Sequence, residues 1–188
     1  MNLQDIKHMT GEYGEGWALQ HVHRNLKLIE RIGAGMESDH EALEYAVYLH
    51  DWGAFPRFRR PGTDHALRSK EVAEREILPH TSLNPAQKQI VLEAIETHDY
   101  RNMLPVCSTE GLLLREADGL EFLGSIGIAR EFAWGSNNLR PVLDRIIARR
   151  EGFRGRFTLP AAQQIAEERL DRMNRIMSWI NEESFGVL

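Results

Sequence analysis

The chain has 188 residues, 42% of them apolar and 27% charged, which places it among folded globular proteins of about one domain's length. Its net charge of −5 makes it a poor binder of bulk nucleic acid or of an anionic membrane surface. A single cysteine, Cys107, excludes an intramolecular disulfide framework and a cysteine-rich zinc site, while eight histidines stand out as the unusual number.

The opening Met1-Asn2-Leu3-Gln4-Asp5 has no apolar signal core, and no run of eighteen apolar residues occurs, so a cytoplasmic chain without a membrane span is expected. Apolar periodicity predicts a first long helix from Trp17 to Ile32, ended by Gly33. A second follows the cap Ser38-Asp39 and carries Ala42, Leu43, Ala46 and Val47 towards His50. Trp52 to Gly62, with two prolines, two glycines and three arginines, reads as a loop. A helix is expected from Asp64 to Leu78, stopped by Pro79, and another from Asn84-Pro85 to His98. Leu112 to Trp134 reads as helical with an interruption at its glycines, followed by Asn138 to Arg150 and Pro160 to Glu183. No alternating segment makes a convincing strand. The expectation is an all-α, single-domain bundle with its core over residues 17–132 and the C-terminal helices, 138–185, packed back on it.

Helical geometry sorts the histidines. Val22, Leu26 and Ile29 define the apolar stripe of the first long helix, and His21 falls at its edge while His23 falls opposite. His50 continues the line of Leu43 and Val47, with Asp51 next; His98 continues Val91 and Ile95; Asp118 lies between Leu114 and Phe122. His21, His50, Asp51, His98 and Asp118 therefore all face inward. A buried carboxylate without a partner is costly, and a divalent cation removes that cost. Imidazoles with carboxylates suit Mn, Fe, Co, Ni or Zn, and Mg less readily. His8, His23, His40 and His80 read as surface or structural residues.

The order His21, then Tyr48-Leu49-His50-Asp51-Trp52-Gly53, then Asp118 resembles the HD-domain superfamily of metal-dependent phosphohydrolases. Glu116-Ala117-Asp118-Gly119-Leu120 and Gly124-Ser125-Ile126-Gly127-Ile128-Ala129-Arg130 are similar to a subgroup of small bacterial HD hydrolases, some acting on nucleotides. The resemblance implies metal ligands at His21, His50, Asp51 and Asp118. It gives His65 and His98 either a second metal or the substrate phosphate, against a plain reading of His65 as an exposed helix-start residue. No acid follows closely on Gly53 and Ala54, so the acidic helper of some nucleotide-cleaving members is missing.

A bound cation lowers the pKa of a coordinated water and polarises a phosphoryl oxygen, leaving further phosphate charge to arginine and lysine. Arg24, Lys70 and Arg57 are the candidate phosphate binders, weighed against a chain that has nineteen arginines and four lysines. The implied activity is hydrolysis of a small phosphorylated substrate, with a nucleotide as the expected class. A diiron oxygenase built on His21, His50, Asp51, His65, His98 and Asp118 is the first rival, and a non-catalytic ligand sensor the second. Arg140 to Arg156 is the most basic stretch, and its Phe153 and Phe157 leave a nucleic-acid contact open at low weight. Ile176, Trp179 and Phe185 either cover the core or form a homodimer seam.

Overall fold

The computed structural model describes residues 1–135 and 137–188. Those residues are helical with no strand, as the periodicity predicts. No helix among them is long and apolar enough to cross a membrane. The chain forms two compact units, residues 1–118 and 119–188.

The first unit opens with a helix that the apolar pattern does not announce, α1 (Leu3–Tyr13). Its start is a capping box: the Asn2 side chain accepts from the Asp5 N–H, and the Asp5 carboxylate accepts from the Asn2 N–H. Then come α2 (Ala18–Ile32), α3 (His40–Leu49), α4 (His65–Val72), α5 (Pro85–Thr97) and, as far as Asp118, α6 (Thr109–Glu121). Two caps are those expected from sequence, Asp39 accepting from Ala42 N–H and Asn84 from Gln87 N–H; Asp64, expected as the first helical residue, is instead the cap of α4 and accepts from Ala66 and Leu67 N–H. α3 is the central helix and packs against α1, α2 and α5, with α4 against α5. Its residues Ala42, Leu43 and Tyr45 to Leu49 are all buried, so it is apolar nearly all round, as a helix surrounded by others must be.

One expected loop is better covered than its composition suggests, and one expected helix comes out differently. The segment after Asp51 is irregular apart from the 3₁₀ turn Trp52–Ala54, but it is packed: Trp52, Phe55 and Phe58 are buried, and Trp52 stacks on Phe58 with ring centroids 5.3 Å apart. The Trp52 indole donates to Thr10 Oγ1 (3.0 Å), which donates to the Tyr48 carbonyl (3.3 Å), so this segment is tied to both α1 and α3. The helix expected from Asp64 to Leu78 is α-helical only as far as Val72. It widens to a π-turn over Ala73–Ile77 and tightens to a 3₁₀ turn over Leu78–His80. Pro79 has no N–H and its ring occupies the place of the carbonyl four residues back, so the regular ladder cannot run up to it.

The second unit holds α7 (Gly124–Trp134), α8 (Leu139–Gly152) and α9 (Pro160–Glu183), with α7 packed against both others. The interruption expected at the glycines falls at Gly124, whose φ of +73° is the left-handed conformation that glycine adopts without penalty. Arg145 and Arg149 both bind the buried Glu131, at 3.0 and 2.9 Å, and Arg150 and Arg154 pair with Glu151. Phe153 and Phe157 are buried and stacked on one another, so they offer no exposed ring to a nucleic-acid base. Trp179 and Phe185 are exposed and do not cover the core.

Candidate metal centre

The first group of ligating atoms comes from three helices. α2 brings His21, which is 1% exposed, and Asp118 arrives from α6 at 5%. α3 ends at His50, its cap residue, and Asp51 turns at φ −102° and ψ 5° into the 3₁₀ turn Trp52–Ala54. That change of path lets two consecutive side chains reach the same place, which neighbours within a continuous helix cannot do. His21 Nε2 lies 3.1 Å from His50 Nε2, 3.2 Å from Asp118 Oδ1 and 3.5 Å from Asp51 Oδ2.

A second group adjoins it. His65 Nε2 is 3.2 Å from His98 Nε2 and 3.5 Å from Asp51 Oδ1, which is itself 3.8 Å from His98 Nε2. The two oxygens of the Asp51 carboxylate thus face different histidine pairs, Oδ2 towards His21 and His50 and Oδ1 towards His65 and His98. Gly53 makes the closeness possible. A Cβ there would lie 2.3 Å from the His65 carbonyl oxygen, so only glycine lets the first turn of α4 settle against the His-Asp turn. The Gly53 N–H donates to Ser69 Oγ at 2.8 Å and holds it there.

The tautomers follow from the backbone. His50 Nδ1 is 2.8 Å from the Val47 carbonyl and His98 Nδ1 is 2.7 Å from that of Ile95; a carbonyl only accepts, so both Nδ1 atoms donate and Nε2 faces the site. Burial, the dominant influence, pushes the His50 pKa down to about 4, so near neutrality its Nε2 presents a lone pair. Burial would raise Asp51 and Asp118, but the surrounding histidines outweigh it and hold both carboxyls below the usual range. Ligands at right angles on one cation, with bonds of about 2.1 Å, stand about 3.0 Å apart. The 3.1 and 3.2 Å separations around His21 Nε2 match that spacing. A proton on His21 Nε2 can be donated along only one of these contacts at a time, whereas a divalent cation serves the lone pairs and buried carboxylates together, so these residues fit a divalent cation.

Residues 18–123 match the HD domain family, more than half of the chain. The chain belongs to the HD-domain family. Solved structures share this HD fold at low identity. A predicted HD superfamily hydrolase from an uncultured Thermotogales bacterium is 22% identical, with a TM-score of 0.67 over 96% of this chain and 90% of that one. An HD-superfamily hydrolase from Bacillus thuringiensis is 23% identical, with a TM-score of 0.64 over 97% and 96%. Bacillus subtilis YpgQ in complex with ADP is 19% identical, with a TM-score of 0.67 over 96% and 94%. No curated protein matches the chain in sequence.

All six histidines and aspartates singled out from sequence in this HD domain meet in these two groups, and His8, His23, His40 and His80 are exposed. The cationic candidates are placed less directly. Lys70 Nζ pairs with Glu96 at 2.7 Å, and the Arg57 guanidinium lies 4.5 Å over the Tyr13 ring. Arg24 is half-buried on α2. Two residues at the site were missed. Asp99, 3.6 Å from His65 Nδ1, is gripped by Arg101 through both carboxylate oxygens, and chiefly by that hydrogen bonding its pKa is held low against the upward push of burial. His98-Asp99 repeats the His-Asp dipeptide, a signal that was available. Asn25, wholly buried, has Nδ2 3.2 Å from His21 Nε2. A polar residue on the inward stripe one turn from His21 was the cue for it.

Proposed function

We propose that this chain is a metal-dependent phosphohydrolase that cleaves a phosphoester or phosphoanhydride, with a nucleotide as its substrate class. The reading rests on one observation, the Asp51 carboxylate shared between two histidine pairs. His21, His50, Asp51 and Asp118 would hold one cation, and Asp51, His65 and His98 a second. Divalent ions bound there supply a water of lowered pKa and polarise a phosphoryl oxygen.

The protein's own groups do the rest. His21, His50 and His98 are sealed from solvent, while the Asp51 and His65 side chains are 17% and 26% exposed, so a phosphate approaches across those two. Beside His65 opens a cleft of about 380 Å³, a size that suits a small organic ligand, with Asp64, Glu96, Asp99 and Arg101 in its wall. Its excess of carboxylates suits the uncharged sugar and base of a substrate better than its phosphate. The likeness to YpgQ, solved with ADP, supports the nucleotide class.

Protein loaded with Mn, Co or Ni is expected to release phosphate or a nucleoside from a panel of nucleotides and phosphate esters; silence across the panel refutes the activity. His50→Ala with Asp51→Ala is expected to abolish metal binding, and unchanged metal content would overturn the site. The shared carboxylate also favours a second reading, a diiron oxygenase. Two irons per chain with oxygen-dependent turnover would select it over hydrolysis.

A further inference from the structure

Asn25 is fully buried on α2, one turn beyond His21 on the same face. Among the described residues its amide makes one hydrogen bond, Nδ2 to His21 Nε2 at 3.2 Å, and its carbonyl oxygen Oδ1 is buried without a hydrogen-bond partner. A side chain with four hydrogen-bonding positions is poorly served by such a place unless something else occupies the site. An N–H aimed at His21 Nε2 also points the positive end of the amide at the atom that would carry a cation.

We infer that Asn25 is a further oxygen donor to the cation held by His21, His50, Asp51 and Asp118. The inference rests on the metal-binding reading above. A half-turn of the amide exchanges two ends of nearly equal size and brings Oδ1 to where Nδ2 now lies. That position is 3.2 Å from His21 Nε2, the same separation as Asp118 Oδ1. The carbonyl oxygen then meets the cation, and the N–H group leaves it. The consequence is a metal preference. Four ligands suit tetrahedral zinc, whereas a fifth protein oxygen with room for water suits octahedral manganese or a similar oxygen-seeking ion.

The test is titration of metal-free full-length protein with Mn²⁺ and with Zn²⁺ by calorimetry, alongside its thermal midpoint. Asn25→Leu, similar in size and without polar atoms, is expected to weaken Mn²⁺ binding about tenfold or more and Zn²⁺ binding much less, with no loss in the metal-free midpoint. Mn²⁺ affinity within twofold of wild type would overturn the assignment, as would equal losses for the two metals. Should the leucine variant not fold, Asn25→Asp serves: it is expected to bind Mn²⁺ more tightly, and an unchanged affinity overturns the inference. Wild-type protein that binds neither metal refutes the metal-binding reading itself. Wild-type binding that Asn25→Leu leaves intact refutes only the role of Asn25.

Discussion

Gly53→Ala would separate the two halves of the metal centre without touching a ligand. Gly53 is outside the left-handed region, so alanine carries no backbone strain there and steric contact is the whole effect. The added Cβ would stand 2.3 Å from the His65 carbonyl oxygen and 2.6 Å from Ser69 N, where ordinary contact starts at 3.4 Å. The backbone of α4 must therefore withdraw by about 1.1 Å, the difference between 3.4 and 2.3 Å. His65 rides on the first turn of that helix, with Nε2 3.5 Å from Asp51 Oδ1. Adding that withdrawal takes the pair to about 4.6 Å, beyond the roughly 4.2 Å that one cation spans with two bonds of about 2.1 Å. On the proposed reading of two cations, calorimetry should count two Mn²⁺ per chain for wild type and one for the variant, with the site of His21, His50 and Asp118 intact. Overpacking of this kind costs about 1–3 kcal/mol, so the thermal midpoint should fall by several degrees. Two ions bound at wild-type affinity, with an unchanged midpoint, would refute the close-packing argument.

The buried His50 makes the metal-free protein sensitive to acid. Its pKa is about 4 in the folded chain and 6.5 in the unfolded one, so between those values the unfolded state alone takes up the proton. Stability therefore declines as pH falls through that window, by up to about 3 kcal/mol from this residue, and is level above it as far as His50 is concerned. The depressed carboxyls of Asp51 and Asp118 add losses of the same sign at lower pH. Denaturant midpoints of chelator-treated protein that stay level from pH 7 to 4.5 would contradict this. Asp99→Asn removes the charge beside His65 Nδ1 and should weaken the second Mn²⁺ about tenfold while leaving the first unchanged. Equal calorimetric affinities in variant and wild type would show that Asp99 serves only to hold Arg101.

Much of the architecture was legible residue by residue. Asp39 and Asn84 cap α3 and α5 as read, because a short side-chain acceptor next to a free N–H is a local interaction and leaves a local mark. The inward facing of His21, His50, His98 and Asp118 followed from helical period for the same reason. α1 was not legible: its stability comes from one capping box and from burying Ile6 and Thr10 against the core, too few positions to make a stripe. Nor was the burial of Trp52, Phe55 and Phe58, since prolines and glycines mark irregular backbone without saying whether it is covered.

By itself the sequence determined which helices form, which faces they bury and which histidines and carboxylates those faces carry. It also carried the ordered pattern by which the chain resembles the HD-domain superfamily. The tertiary structure decided what those residues are to one another. It turned the two oxygens of Asp51 towards separate histidine pairs, seated α4 on Gly53, gave Lys70 to Glu96, and left the carbonyl of Asn25 buried beside His21 without a partner. The reason is range: capping and periodicity act within a few residues of the chain, whereas a metal centre is set by distances between helices, and those distances depend on how the side chains pack.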